Sequence, residues 1–214
     1  MSSPRKVSDS TVRRLSFYLR ILKEIRGRGV QTVSSAKLAE STRVTSAQVR
    51  KDLSAFGNFG VRGRGYDVAE LQDHILRILG LDRTWRTIVV GAGRLGSALT
   101  SSEDFSRQRF SIVSLFDNDA AKIGRRVGDA EVRPIEDLER FVQAEDIQIG
   151  IITTPAKYAQ EAADRLARAG IRGILNFAPT RLEVADPVRL RNVNLAVELE
   201  GLTFAIADVA GDSA

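Results

Sequence analysis

A chain of 214 residues with 43% apolar and 28% charged residues has the composition of one large or two small folded domains and excludes disordered or low-complexity classes. It has no cysteine, which removes disulfides, C-x-x-C zinc sites, iron–sulfur clusters and thiol nucleophiles, and it has one histidine, His74. The net charge of +5 is unevenly divided: residues 1–80 carry 15 Lys and Arg against 7 Asp and Glu, the rest 17 against 20, so a basic third suited to a polyanion precedes a mildly acidic remainder. The longest charge-free stretch, residues 147–156, falls short of the roughly 20 apolar residues of a membrane helix, and the N-terminus lacks the apolar core of a signal peptide. No membrane association and a cytoplasmic location are expected.

Val12, Leu15, Leu19, Leu22 and Ile25 recur at three- and four-residue spacing and the pattern stops at Gly27 and Gly29, as in one amphipathic helix. Ser34-Ser35 ahead of Ala36, Leu38 and Ala39 predicts a serine-capped second helix closing near Arg43. Thr45 with Gln48 three residues on predicts a capping box opening a third helix, with Val49, Leu53 and Phe56 toward the core. Away from that apolar face it offers Ser46, Gln48, Arg50, Lys51 and Ser54, cations and hydrogen-bonding groups that suit base edges and phosphates. Residues 57–66 set Arg62 and Arg64 among glycines that permit tight reversals, the composition of a small β-wing whose arginines can reach phosphates or the minor groove. Asp67 with Glu70 opens a fourth helix bearing Leu71, Ile75, Leu76 and Leu79. Residues 1–80 are therefore expected to be a winged helix-turn-helix domain that binds double-stranded DNA.

The β-branched run at 87–90 leads into Gly91, Ala92, Gly93, Arg94, Leu95 and Gly96, a G-x-G-x-x-G turn between a strand and a helix. Gly91 allows the tight turn, Gly93 the approach of a pyrophosphate, and Gly96 the close packing of helix on strand. A second apolar strand, 110–116, ends at Asp117, 21 residues beyond Gly96. A carboxylate there accepts from both ribose hydroxyls and repels a 2′-phosphate, which favours NAD(H) over NADP(H). Further strands at 147–152 and 173–175 flank a helix at 156–169, so the loops carrying Thr153, Thr154 and Pro155, and Asn176 and Phe177, form the expected rim of the site. The fold class that follows is α/β: a winged-helix domain, a Rossmann-type doubly wound parallel sheet over residues 81–197, and a C-terminal helix over 198–214. That last helix can pack on the sheet or cross to another subunit.

Equipment for turnover is sparse. His74 lies outside the nucleotide part, Tyr158 is followed four positions on by Ala162 instead of lysine, and only Lys122 and Lys157 occur beyond residue 80. No metal-ligand pattern is present. These features predict a domain that binds its nucleotide without catalysis. The rival readings are an NAD-dependent oxidoreductase with a basic assembly domain, and a CoA-binding domain like that of acyl-CoA ligases, whose phosphorylated histidine this part of the chain lacks.

The segments Tyr18-Leu19-Arg20-Ile21-Leu22, Gln48-Val49-Arg50-Lys51-Asp52-Leu53, Arg62-Gly63-Arg64-Gly65-Tyr66, the glycine turn at 91–96 and Leu175-Asn176-Phe177-Ala178-Pro179 resemble the Rex family of bacterial redox-sensing transcriptional repressors, almost end to end. The resemblance implies a homodimer whose winged-helix domains bind a palindromic operator, with the C-terminal helix exchanged between subunits. It implies release when NADH favours a closed dimer, with NAD+ competing without the same release. Carried onto this chain, Lys51 faces base edges, Arg50 and Ser54 phosphates, Arg62 the minor groove, and Asp117 the adenosine ribose; Leu195 and Phe177 line an apolar nicotinamide pocket. Arg20 matches the family's helix-one arginine, which pairs with a carboxylate in the other domain, but that position here is Asn194. A tyrosine expected after the glycine-rich helix is replaced by Ser102. An altered discrimination between NADH and NAD+ is the expected result of these two departures.

Overall fold

A computed structural model describes residues 7–42, 44–61 and 63–211, and the chain divides into two compact units between Arg83 and Thr84. The first opens with helix α1 (Asp9–Gly27), whose N-cap Ser8 accepts from the Thr11 amide. Strand β1 (Thr32–Val33) leads to α2 (Ser35–Glu40), capped by Ser34. This helix stops at Glu40, where the Thr42 hydroxyl donates to the Leu38 carbonyl, so it is shorter than the serine–alanine pattern suggests; Arg43 lies outside the described residues. Helix α3 (Ser46–Ser54) is capped by Thr45, which accepts from Gln48 N at 3.1 Å. Strands β2 (Gly60–Val61) and β3 (Gly65–Asp67) form the wing, and β1 joins them in the order β1-β3-β2. Helix α4 (Val68–Ile78), capped by Asp67 to Glu70 N, completes the unit. Leu15, Tyr18, Leu22, Leu38, Val49, Leu71 and Ile75 bury against one another as its core.

In the second unit β4 (Trp85–Val90), α5 (Arg94–Ser101), α6 (Glu103–Arg107), β5 (Phe110–Asp117), β6 (Arg126–Val127) and β7 (Ala130–Pro134) precede α7 (Leu138–Ala144), β8 (Ile149–Ile152), α8 (Ala156–Arg168), β9 (Gly173–Asn176), β10 (Arg189–Asn192) and α9 (Leu195–Gly211). The sheet order is β10-β9-β8-β4-β5-β7-β6, and all pairings are parallel except β6 with β7. Neighbours along one strand pack on opposite faces: Ile88, Val90, Phe116 and Ile152 share a core with α7 and α8, while Val89, Leu115 and Ile151 share another with Leu99 and Phe105. The period of two is what buries a doubly wound sheet on both faces.

Strand order reverses between β4 and β8, the place where such sheets open a ligand crevice beyond their carboxyl ends. Helix α9 has another character. Every side chain from Asn194 to Ala207 is exposed, and Leu195, Val197, Leu199, Leu202, Phe204 and Ile206 are each more than half exposed. Among the described residues no helix is long and apolar enough to cross a membrane.

Candidate functional site

At the crevice lies a cavity of about 590 Å³ walled by the ends of β4, β5 and β8 and one face of α8. Its floor is the glycine turn. Gly91 has φ +105°, and a Cβ there would come within 3.0 Å of Thr153 and Thr154, so glycine meets both a conformational and a steric demand. Gly96 is packed more tightly still, since a Cβ would lie 2.1 Å from the Gly91 carbonyl oxygen. Helix α5 then starts at Arg94 with no side-chain cap, which leaves its first amides to an acceptor from outside the helix.

Asp117, at the end of β5, is held on both carboxylate oxygens. Oδ2 accepts from Ala92 N at 2.7 Å and from Lys122 Nζ at 3.1 Å, and Oδ1 accepts from Asp119 N at 2.9 Å. Burial by itself raises this carboxyl's pKa; the Asp119 and Ala92 amides and the Lys122 ammonium outweigh it and hold the group below its ordinary value. Lys122, also 3.5 Å from Asp119 Oδ2, is raised by its hydrogen bond to Asp117. The result is an ionised carboxylate in place for hydroxyl donors.

Of the nucleotide-site residues expected from sequence, Gly91, Gly93, Asp117, Thr153, Thr154, Pro155 and Phe177 line the cavity. The Thr153 hydroxyl is engaged in the fold, donating to Gly91 O at 2.8 Å, whereas Thr154, whose Oγ1 is buried, lines the same cavity and that oxygen has no hydrogen-bond partner among the described residues. Ala92 and Gly96 are buried in the turn; Arg94 and Leu95 are exposed on the first turn of α5. Asn176 is fully buried and organises a loop without reaching the lining, and Leu195 sits exposed at the start of α9. The cavity also collects Asn118, Asp119, Lys122 and Ile135, and Tyr158, Glu161 and Arg165 from α8. The last three recur at three- and four-residue spacing, a signal available in the sequence. Lys122 acts through a five-residue loop that gives no such signal.

In the first unit, a groove of about 770 Å³ runs between α3 and the wing, lined in part by Ser35, Arg50, Ser54, Asn58, Arg64 and Tyr66. Arg50 donates to Ser35 Oγ at 3.0 Å, Lys51, Ser54 and Arg64 are exposed, and Ser46 is half-buried. Arg62 lies outside the described residues. Behind the groove is a buried carboxylate with no warning in the sequence. Asp52, 3% exposed, accepts from Arg14 Nε at 2.6 Å and Nη2 at 2.8 Å, from Tyr18 OH at 2.9 Å and from Gln48 Nε2 at 2.8 Å. Its desolvation is more than offset by these donors, Arg14 first, so its pKa is lowered; burial and the bond to Asp52 push the Tyr18 hydroxyl up. Only half of the expected capping box forms: Thr45 Oγ1 accepts from Gln48 N, while the Gln48 side chain reaches forward so that its Nε2 donates to the buried Asp52 carboxylate, a charge-assisted bond.

Arg20 is exposed on α1 in the first unit. Asn194, in the second, accepts from Ala196 N at 3.0 Å and so caps α9. Among the described residues there is no group of three or more His, Asp or Glu that could hold a metal ion.

Residues 82–180 match the family described as "CoA binding domain", and residues 6–54 the family described as "Putative DNA-binding protein N-terminus". The redox-sensing transcriptional repressor Rex of Carboxydothermus hydrogenoformans is 54% identical, over 94% of this chain and 97% of its own. The Rex protein of Desulforamulus reducens is 50% identical, over 94% and 96%. This chain belongs to the Rex family of redox-sensing transcriptional repressors. Among solved Rex structures, RSP in complex with β-NAD+ and operator DNA superposes with a TM-score of 0.91 at 40% identity, covering 97% of this chain and 95% of RSP. RSP in complex with β-NADH superposes at 0.88 and 38% identity, covering 97% and 98%. The Rex likeness therefore spans both units.

Proposed function

We propose that this chain is a cytoplasmic, homodimeric repressor that occupies a palindromic operator through paired winged-helix units and leaves it when NADH fills the cavity. The observation that carries this reading is the likeness, over 97% of the chain, to RSP bound to both β-NAD+ and operator DNA. The cavity fits the nucleotide on its own terms. The uncapped amides of α5 suit a pyrophosphate, the Asp117 carboxylate suits a ribose diol, and the unpartnered Thr154 hydroxyl supplies a further polar contact. Gly93 belongs with them because a Cβ there would meet no protein atom within 4 Å, so its constraint is the ligand's approach. CoA would bring a ribose 3′-phosphate toward Asp117 and Asp119, which favours the dinucleotide over the rival suggested by the CoA-binding match.

On the DNA side, Lys51 reads base edges, Arg50 and Ser54 hold phosphates, and the wing's Arg62 and Arg64 reach the backbone or minor groove. Ser46 and Gln48 of the same helix are the further candidates for contact with DNA. Leu195 with Phe177 completes the nicotinamide environment in the dimer, and α9 is the element exchanged between subunits. The nucleotide is bound and released unchanged. Because Asn194 cannot supply a carboxylate to Arg20, NADH and NAD+ differ less in their effect than a charged pair would make them.

The test is a gel shift on an inverted-repeat duplex selected from random DNA by the purified protein, titrated with NADH, NAD+ and CoA. NADH is expected to release the duplex while its absorbance at 340 nm stays constant. A complex indifferent to saturating NADH would overturn the proposal.

A further inference from the structure

Asn176 closes β9 at the margin of the nucleotide cavity, yet its carboxamide is fully buried and contributes nothing to the lining. It is occupied with backbone. Nδ2 donates to the carbonyls of Ala178 and Thr180 at 3.2 and 3.1 Å, and Oδ1 accepts from Ala178 N at 2.9 Å. These bonds set the shape of the 176–180 loop, which presents Phe177 and Pro179 to the cavity. The same Nδ2 also donates to Asn192 Oδ1 at 2.9 Å, and the Asn176 carbonyl accepts from Val193 N at 2.8 Å. Asn192 is the last residue of β10, and two positions later Asn194 caps α9. One buried amide is thereby bonded to the rim of the cavity on one side and to the root of the exposed helix on the other.

An amide nitrogen has two hydrogens, and here three acceptors share them. A displacement of the 176–180 loop that improves one bond therefore weakens another, so the loop and the end of β10 cannot shift independently. We propose that the Asn176–Asn192 pair is the joint by which occupancy of the cavity sets the departure of α9, and that Asn176 is a positioning residue for Phe177 and Pro179. This rests on the reading of α9 as the exchanged helix of a nucleotide-controlled dimer. Coupling of this kind requires only that the bond be better made in one of the two states, and linkage then makes DNA and NADH oppose one another by the same factor.

The exposed partner, Asn192, permits a test that leaves the core intact. Asn192→Leu removes the acceptor; Asn192→Asp keeps it. The dissociation constant of a fluorescein-labelled inverted-repeat duplex, selected as above with the wild-type protein, is measured with and without saturating NADH, and the ratio is the coupling factor. Asn192→Leu is expected to bind DNA alone and NADH alone within twofold of wild type while its coupling factor falls about fivefold, the worth of one neutral hydrogen bond made in a single state. Asn192→Asp is expected to retain the wild-type factor. An unchanged factor in Asn192→Leu, or an equal loss in both variants, overturns the inference. Wild-type protein that NADH fails to release overturns the functional reading itself, and this inference with it.

Discussion

Two carboxylates, Asp52 and Asp117, carry much of the chemistry, Asp52 held ionised chiefly by donors from α1 and Asp117 by the Ala92 amide of the glycine turn together with Asp119 N and Lys122 of its own loop. Asp52 joins α3 to Arg14 and Tyr18 of α1, so it sets the orientation of the helix that presents Lys51. Removing its cation by Arg14→Met should cost about 3 kcal/mol in chemical denaturation of the protein, since a buried charge would be left without its main partner. The folded pKa of Asp52 lies below its unfolded value near 4, so the stability it contributes is complete above about pH 4 and is lost as pH falls further through the folded value. Asp52→Asn should accordingly lower stability at neutral pH, where the ionised carboxylate otherwise pairs with Arg14, and flatten the pH dependence of stability below about pH 4. Gln48→Ala separates two roles for that side chain: a uniform weakening across single-base-pair variants of the selected duplex marks a support of Asp52, while loss of preference at one position by roughly tenfold marks a base reader. The engaged amide leads us to expect the uniform result. At the other site, Asp117→Ala should weaken NADH by roughly 10- to 100-fold in calorimetry, the range for a charge-assisted hydrogen bond, without altering DNA binding in the absence of nucleotide.

Among the elements, those that announce themselves by period or punctuation were legible. The 12-15-19-22-25 repeat marks α1, the glycine hairpin marks the wing, and β4, β5, β8 and β9 are apolar runs because both faces of a doubly wound sheet are covered. β10 was missed because Arg-Leu-Arg-Asn is the composition of an edge, with one apolar residue, Leu190, turned to the core and the other three exposed. The β6–β7 hairpin and α6 and α7 were too short to leave a period. In the cavity, the glycine turn and Asp117 could be read because local geometry dictates them, and the α8 wall at 158, 161 and 165 left its helical spacing in the sequence, whereas Lys122 sits on an irregular loop five residues past Asp117 that carries no period. Asp52 was unreadable because its partner Arg14 is 38 residues away. The tightest local constraint makes a plain prediction. Gly96→Ala would drive a methyl into the Gly91 carbonyl oxygen, so it should abolish NADH binding and lower the stability of the nucleotide unit by about 3 kcal/mol in thermal unfolding.

At the scale of the whole molecule, a helix with six large apolar side chains more than half exposed is a surface that monomers rarely present. A chain ending at Asn194 should sediment as a monomer at concentrations where the full chain sediments as a dimer, and should bind the inverted repeat at least 100-fold more weakly, because one winged helix then holds one half-site. NADH affinity of that shortened chain reports whether the second subunit helps to build the pocket. The sheet has a further margin in β10, whose outer side pairs with no strand among the described residues. Its four residues include exposed Arg189 and Arg191, and stacking another chain's strand there would crowd like charges together. Replacing both by valine would turn this guarded border into a template for strand accretion, and the first symptom in the cell would be inclusion bodies, arising with every DNA- and nucleotide-contacting residue still in place.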